Sequence, residues 1–218
     1  MGLFRSDPGD DDFDSRRETM VDRLVSHGRI SDPTVADALR AVPRHEFVPD
    51  GRRDEAYADR PLPIGDGQTI SAPHMVGIMA ELLEIDTGDD VLEIGTGCGY
   101  HAAVTAELVG EAGTVYSVEY SDVLAERARE TLDRLGYEIA VRVGDGRDGW
   151  PEHAPFDAAY VTCAAAELPD SIPEQTRVGG RILAPIGTDR QTLYRYTRHE
   201  DGTVDRESHG GVRFVQMR

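Results

Sequence analysis

The sequence contains no lysine and no asparagine, and its 23 basic residues are all arginine. They are outnumbered by 41 acidic residues, so the formal net charge is -18. Proteins that bind a phosphate backbone do so largely through clustered cations, whereas these arginines are scattered among more numerous carboxylates. The composition therefore predicts that nucleic acid is not a partner.

The lysine-free acidity predicts a folded protein adapted to salt. Near molar salt the Debye length falls to roughly 3 Å, so a surface rich in carboxylates no longer repels itself strongly. Disorder is the other explanation of such charge. Hydrophobic residues make up 39% of the chain and form periodic runs, which argues against disorder beyond about the first dozen residues.

Long apolar runs are also missing, and none approaches the roughly 20 residues of a membrane span. The first six residues match a short myristoylation pattern, but they lead into the acidic Asp10–Asp12 rather than a signal-peptide core. We therefore expect a cytoplasmic protein with no membrane partner. The domain prediction is a disordered acidic tail over residues 1–14 and a single domain over 15–218.

Cysteine is scarce, which restricts disulfide and metal chemistry. Cys98 and Cys163 form no CxxC pair, and no zinc-ligand spacing is present. We expect reduced thiols and no metal site.

Hydrophobic periodicity predicts helices in the N-terminal third. The pattern is helical over residues 15–48 and again over 72–84, whereas residues 52–73 are rich in proline, glycine and charge. Residues 15–84 are therefore expected to form a helical cap and a long loop that takes part in binding substrate or cofactor.

From residue 85 onwards strand and helix patterns alternate, which is typical of a parallel sheet covered on both faces. The fold class predicted is α/β, with a doubly wound, mostly parallel sheet over residues 85–218, antiparallel C-terminal strands and an N-terminal helical cap. The predicted strands are 91–94, 115–119, 140–143, 157–161 and 181–185, then the antiparallel 191–198 and 211–216.

A glycine-rich turn follows the first of these strands and leads into a helix. The string is Val91–Tyr100, with glycine at positions 95, 97 and 99. Glycines at this point of an α/β sheet let the backbone approach a nucleotide closely. Glu119 closes the next strand just over 20 residues on, where the hydroxyl pair of a ribose needs an acceptor.

Two residues argue against a dinucleotide at this turn. A nicotinamide oxidoreductase needs a small residue at the position of Tyr100, and Glu93 would repel a diphosphate. An acid at position 93 suits a ligand that carries an ammonium or a sulfonium, such as S-adenosylmethionine. Asp145, followed by Gly146, ends the third strand at the same edge and could accept from an adenine amino group. Taken singly, each acid could equally be a helix cap or a solvated strand end.

The sequence resembles the protein-L-isoaspartate O-methyltransferase family from about Arg17 onwards. The element particular to this family is Gln68-Thr69-Ile70-Ser71, since a glycine turn alone indicates only a methyltransferase. The other matching stretches are 42–49, 56–57 with 61–65, 72–75, 144–146, 154–157, 179–181 and 212–215.

The resemblance implies a Rossmann-like methyltransferase that moves a methyl group from S-adenosylmethionine to the free α-carboxylate of L-isoaspartyl residues in damaged proteins. Its partners are then isoaspartyl proteins and peptides, and we expect a monomer. Ser71 is implied as the catalytic residue. The cofactor-binding residues implied are Thr69, Ile70, Ser71, His74, Glu93, Gly95, Thr96, Gly97, Gly99, Glu119, Asp145 and Gly146.

Ser71 has two interpretations. A carboxylate is already ionised at neutral pH, so no general base is needed, and a serine hydroxyl can align the acceptor. Alternatively Ser71 caps the helix that begins at Ala72-Pro73. The alternatives for the whole chain are a methyltransferase acting on tRNA or a small carboxylate, and a non-catalytic paralogue that only binds S-adenosylmethionine. The sequence ends at Arg218 without the extra tail that some members of the family contribute to the cofactor site, so it does not predict how that site is closed.

Overall fold

Two helices, α1 (Asp10–Ser26) and α2 (Pro33–Ala41), begin the part of the chain that the computed structural model describes, residues 10–218 with side chains from residue 12. Residues 1–9, with most of the predicted tail and the N-terminal hexapeptide pattern, lie outside it. Short 3-10 helices follow at Arg44–Phe47 and Asp50–Glu55.

The tail prediction differs from the structure at its C-terminal end, because α1 already includes residues 10–14. Phe13 explains the difference. Its ring stacks on His45 with 4.3 Å between centroids, so an apolar side chain within the acidic run has a surface to pack on. An ion pair between Arg17 and Asp14, 2.9 Å long and three residues apart, supports the same turn.

The start of α2 is set by its sequence. Asp32 is the N-cap, and its side chain accepts a hydrogen bond of 2.8 Å from the backbone N–H of Thr34, while proline occupies the first helical position. Val35 and Leu39 are buried on the inner face, which packs against a later helix, Tyr100–Val109. The predicted helical cap is thus held to the sheet domain by an apolar stripe.

The segment predicted to be a loop contains a small hairpin. Strands β1 (Leu62–Gly65) and β2 (Gln68–Ile70) pair antiparallel. Their turn has Asp66 and Gly67 at φ +48° and +71°, the left-handed geometry of tight hairpins. Composition hid these strands because the first contains a proline and the turn two residues typical of loops. Helix α3 (Pro73–Leu83) follows directly.

Seven strands form the main sheet in the order β5-β4-β3-β6-β7-β8-β9. Helices α4 (Tyr100–Val109), α5 (Asp122–Leu135) and α6 (Ser171–Gln175) connect them. Short 3-10 helices lie at Gly110–Ala112, Gly146–Asp148 and Pro151–His153. The strands are β3 (Asp90–Ile94), β4 (Thr114–Glu119), β5 (Ile139–Val143), β6 (Phe156–Val161), β7 (Thr176–Ile186), β8 (Gln191–Arg198) and β9 (Val204–Val212).

The sheet confirms the predicted fold class. Strands β3 to β7 run parallel, and β8 and β9 are antiparallel. The chain leaves β3 towards β4 and β5, then returns to place β6 on the other side of β3. The carboxyl end of β3 is therefore the topological switch point, where open α/β sheets bind ligands.

The predicted last strand, 211–216, is wrong. The strand instead spans Val204–Val212 and pairs with β8 from Arg198 opposite Val204 to Gln191 opposite Val212. A short turn fixes this register, since the N–H of His199 donates to Thr203 O at 2.9 Å. Strand β9 is polar on both faces, so it carries no apolar alternation by which a sequence pattern could locate it.

Alternate residues of β3 pack against opposite layers. Val91 packs with Met79 and Leu83 of α3, whereas Leu92 belongs to the cluster of Ile172 in α6. Both faces of the central strand are thus covered by apolar side chains. A ligand can approach this strand from the carboxyl edge of the sheet. No helix in the described range is long and apolar enough to cross a membrane.

Candidate active site

A cavity opens at the carboxyl edge of β3, β4 and β6, at the switch point. Its wall combines the glycine turn, the ends of the neighbouring strands, the segment after β2 and the end of the chain. The lining residues are 68–71, 94–98, 118–120, 162–163 and 215–218, with Val76, Tyr100, His101 and Gly146.

Bare backbone forms part of this wall. Gly95 has φ +98°, and a Cβ there would lie 2.3 Å from Thr162 Oγ1, too close for any side chain. A Cβ at Gly146 would lie 2.3 Å from Ile94 Cγ2. Gly97, at φ +57°, is also in left-handed backbone. These glycines keep the wall free of side chains, so that a flat ring or a polar ligand can contact the peptide groups.

Glu119 ends β4 and holds the glycine turn. Its Oε2 accepts a hydrogen bond of 2.8 Å from the N–H of Gly97, and its Oε1 accepts one of 2.9 Å from the N–H of Ser121. Each carboxylate oxygen keeps a second lone pair. Glu119 can therefore accept two further hydrogen bonds from a ligand's hydroxyl groups while it fixes the turn.

Glu93 does not lie where the sequence analysis expected it. Its side chain is fully buried beneath the turn and does not line the cavity. Register with the neighbouring strands places it beside Ser117 of β4 and Tyr160 of β6, and the hydroxyl groups of both lie within hydrogen-bond distance of its carboxyl oxygens. Burial raises the pKa of Glu93 to about 8. A group held in this way is a neutral acid at pH 7 and does not neutralise a sulfonium by contact.

Ser71 lines the cavity, and the helix-cap interpretation of it is wrong. The residue at the N-cap of α3 is Ala72, which makes no side-chain cap hydrogen bond. Pro73 begins the helix one position later than a serine cap requires. The position of Ser71 is therefore set by the end of β2, and Ser71 does not cap the beginning of α3.

Three other predicted residues lie outside the wall of this cavity. Gly99 is the N-cap of α4, at φ +89°. The carboxylate of Asp145 is occupied by the N–H of Arg147 at 2.9 Å and by its guanidinium at 2.8 Å. The ring of His74 is paired with the carboxylate of Asp59, with Nδ1 and Oδ1 2.7 Å apart. Its ring faces a neighbouring cavity instead.

That second cavity adjoins the first one. It is lined by Pro61, Ala72, His74, Met75 and residues 211–214, and it shares Thr69, Ser71, Thr162 and Val215 with the first cavity. The shared residues form a wall that belongs to both spaces. Two ligands, one in each cavity, would meet at this wall.

The end of the chain closes one side of the first cavity. The N–H of Ala164 donates to Val215 O at 2.7 Å, and that of Met217 donates to Ala164 O at 2.8 Å. Arg218 then ion-pairs with Asp66 in the β1–β2 turn, Nη1 to Oδ2 at 2.7 Å. These residues pair through an isolated bridge, which has no periodic signal in the sequence, so they could not be predicted from it. Thr162 could have been found, since it follows β6 at the carboxyl edge.

Both cysteines line the first cavity, and neither is a nucleophile there. Burial raises the pKa of Cys98 to about 11 and that of Cys163 to about 12. The thiolate is the reactive form, so these side chains act as small apolar groups at neutral pH.

The fold and the cavity define a Rossmann-like protein of the S-adenosylmethionine-dependent methyltransferase type. The model of the family described as protein-L-isoaspartate(D-aspartate) O-methyltransferase matches residues 15–218, and the chain belongs to this family. It is 52% identical over 208 residues to protein-L-isoaspartate O-methyltransferase 2 of Archaeoglobus fulgidus, covering 95% of this chain and 94% of that one. It is 51% identical over 209 residues to the protein-L-isoaspartate O-methyltransferase of Methanopyrus kandleri, covering 94% of this chain and 92% of that one.

Solved structures agree. One protein-L-isoaspartate O-methyltransferase superposes with a TM-score of 0.84 at 34% identity, over 92% of this chain and 65% of that longer one. A Plasmodium falciparum protein solved with S-adenosyl-L-homocysteine superposes with a TM-score of 0.82 at 24% identity, over 93% of this chain and 98% of that one. The second likeness supports the fold.

Proposed function

We propose that this protein transfers a methyl group from S-adenosylmethionine to the α-carboxylate of L-isoaspartyl residues in damaged proteins. The observation that supports this most is the pair of cavities with one common wall. The first cavity has a wall of bare glycine backbone and the carboxylate of Glu119, both of which suit a nucleoside. The second leads from the surface to Ser71 and Thr69, within the family-specific element.

The residues of the first cavity fit this cofactor. Glu119 has free lone pairs for the ribose hydroxyls, and Gly146 with Ile94 offers a wall without side-chain bulk for the adenine ring. Helix α4 begins at Tyr100 beside the cavity, and the N–H groups of a helix N-terminus favour the carboxylate of the methionine part. Bound there, S-adenosylmethionine supplies a methyl group on a positively charged sulfur.

The protein's task in this reaction is alignment. The acceptor carboxylate is ionised at neutral pH, so no residue has to remove a proton. Bound S-adenosylmethionine would give up its methyl group to the carboxylate oxygen and would keep the electron pair of the broken carbon–sulfur bond, so no residue would have to assist a leaving group. Ser71 donates a hydrogen bond to the carboxylate and aims one oxygen at the methyl group. Holding two reactants in line in this way lowers the activation free energy by several kcal/mol, about 7 in well-oriented cases.

The two cysteines in the cavity wall do not compete with the substrate as nucleophiles. The two thiols stay protonated, because burial raises their pKa values well above neutrality. The segment 215–218 covers one side of the space and limits the entry of water. The substrate carboxylate is then the group best placed to accept the methyl.

A pair of peptides tests the proposal. One contains an isoaspartyl residue and the other is its aspartyl twin, and both are incubated with radiolabelled S-adenosylmethionine at low and at molar KCl. We expect label in the isoaspartyl peptide alone. Equal labelling of the twins, label only in RNA, or cofactor binding without transfer to any isoaspartyl substrate would each overturn it in favour of one of the alternatives. A cytoplasmic location, a monomeric state and salt adaptation stay predictions of the sequence.

A further inference from the structure

A chain of buried polar side chains runs beneath the glycine turn. Thr96 Oγ1 and Ser117 Oγ lie 2.5 Å apart, and Ser117 Oγ lies 2.5 Å from Glu93 Oε2. On the other side of the acid, Tyr160 OH lies 3.0 Å from Glu93 Oε1 and 2.9 Å from Thr105 Oγ1. All five side chains are buried, and only Thr96 among them lines the first cavity.

Among the residues that the structure describes, no cation compensates the acid at the centre of this chain of side chains. The described groups that act on Glu93 are the hydroxyls of Ser117 and Tyr160 and the like charge of Glu119. The ring of His101 in α4 contacts that of Tyr160 in a tilted arrangement, with 4.4 Å between centroids, but burial lowers the pKa of His101 to about 3, so the ring is neutral. Cys98, in the turn above, is protonated as well. A carboxyl group without a cation, away from water, is more stable in its neutral form.

We propose that Glu93 is a positioning residue which, as a carboxylic acid, donates through Ser117 and so turns the hydroxyl hydrogen of Thr96 into the first cavity. The inference rests on the proposed function, because it assigns the hydrogen of Thr96 to an acceptor on the cofactor. Glu93 itself does not touch that cofactor.

The number of hydroxyl hydrogens determines the direction of each hydrogen bond in this chain of side chains. Each hydroxyl has one hydrogen to donate. When Glu93 is ionised it only accepts, so Ser117 must donate to it and Thr96 must donate to Ser117, which uses every hydrogen. When Glu93 is neutral its own hydrogen goes to Ser117, Ser117 donates to Thr96, and the hydrogen of Thr96 is left over. The only outlet for it on this path is the cavity wall.

The Tyr160 branch completes the pattern. Tyr160 donates to Oε1 of Glu93, which leaves Oε2 as the oxygen that carries the hydrogen of the neutral acid towards Ser117. Thr105 contacts this branch but not the cavity. The network therefore has a cavity side, through Ser117 and Thr96, and a structural side, through Tyr160 and Thr105.

The inference is tested by measuring the affinity of the full chain for S-adenosylhomocysteine by calorimetry at a series of pH values. We expect the affinity of the wild type to fall about fivefold as the pH rises through about 8, since one hydrogen bond to the ligand is lost. Glu93→Gln, whose amide always donates, should bind as the wild type does below that pH and should lack this loss. Glu93→Leu should bind weakly at every pH, and Glu93→Gln should thus rescue it.

A second readout does not depend on the ligand. Infrared spectra of the wild type at neutral pH should contain the C=O stretch of a buried protonated carboxyl group, and the band should be absent from Glu93→Gln. Thr96→Val should bind about fivefold more weakly at neutral pH and lose nothing further at high pH. It serves in place of Glu93→Gln if that variant does not fold.

Thr105→Val is the matched control, because it breaks the structural side of the network alone. We expect its affinity and its pH profile to equal those of the wild type. Absence of the infrared band, or parallel pH profiles for the wild type and Glu93→Gln, would overturn the inference while methyl transfer to isoaspartyl peptides remains intact. A wild type that binds no S-adenosylhomocysteine would instead overturn the proposed function together with the inference.

Discussion

Glu119 and Gly97 are joined by a hydrogen bond of 2.8 Å from the backbone N–H of the turn to the carboxylate at the end of the next strand. The contact spans the switch point of the sheet, between β3 and β4. It means that the residue suited to hold a ribose also sets the shape of the turn that faces the same ligand. We therefore expect cofactor affinity and turn geometry to be coupled through this single side chain.

Glu119→Ala should weaken cofactor binding much more than it lowers turnover. Hydrogen bonds to a charged group contribute about 1.5 to 3 kcal/mol, so we expect KM for S-adenosylmethionine to rise about 10- to 100-fold. The ribose is held alike in the ground and transition states, so kcat at saturation should change little. Steady-state kinetics checks this, with Glu126→Ala on the exposed face of α5 as control. An unchanged KM would show that Glu119 does not bind the ribose.

Ser71→Ala should reduce kcat and leave stability nearly unchanged. Loss of an aligning contact that misplaces the acceptor by about 1 Å costs roughly 10²-fold in rate. Since Ser71 does not cap α3, the denaturation midpoint should move little. Asp32→Ala is the matched control, because it removes a true cap from α2 and should cost about 1 kcal/mol with normal turnover of the folded enzyme. Near-normal turnover in Ser71→Ala would show that alignment comes from elsewhere.

Gly95→Ala should cost more than Gly28→Ala, although both glycines have positive φ. Left-handed backbone costs an alanine about 1 to 2 kcal/mol at either site. At Gly28 the added Cβ meets nothing within 4 Å, whereas at Gly95 it meets Thr162 Oγ1 at 2.3 Å. We expect about 1 to 3 kcal/mol of further destabilisation and much weaker cofactor binding in Gly95→Ala. Chemical denaturation and calorimetry compare the two, and equal losses would contradict the close packing of the turn.

His101→Phe should make the protein less sensitive to acid. Burial lowers the pKa of His101 from 6.5 to about 3, so the unfolded chain takes up a proton there before the folded chain does. The stability that depends on the neutral ring is present above pH 6.5 and is lost as the pH falls towards about 3. The wild type should lose up to about 1.4 kcal/mol per pH unit more than His101→Phe over this window. Denaturation midpoints measured across it give the difference, and parallel curves would show a solvated imidazole.

The sequence predicted the sheet well because its central strands are apolar runs between amphipathic helices, as Val91 and Leu92 show with their opposite layers. It failed where position depends on pairing. The hairpin of β1 and β2 contains residues typical of loops, and β9 is polar on both faces. The first turns of α1 are likewise stabilised by the contact of Phe13 with His45, which no local sequence pattern shows.

At the site, the resemblance placed Ser71, Gly95, Thr96, Gly97, Glu119 and Gly146 at the wall of the first cavity, where the structure has them. Their roles remain predictions. Glu93 was misplaced because a sequence shows that an acid lies near a turn, but not which face of the strand it occupies. Arg218 and Asp66 were out of reach for another reason, as 152 positions separate them along the chain.

A structure of the protein with S-adenosylhomocysteine and an isoaspartyl peptide tests the central claim most directly. The account predicts the nucleoside against Glu119 and Gly146 in the first cavity and the peptide in the second. The α-carboxylate of the isoaspartyl residue should lie at the shared wall, within hydrogen-bond distance of Ser71 Oγ and on the line that extends the cofactor's sulfur towards the acceptor. A peptide bound on another face, or a carboxylate held away from Ser71, would contradict it.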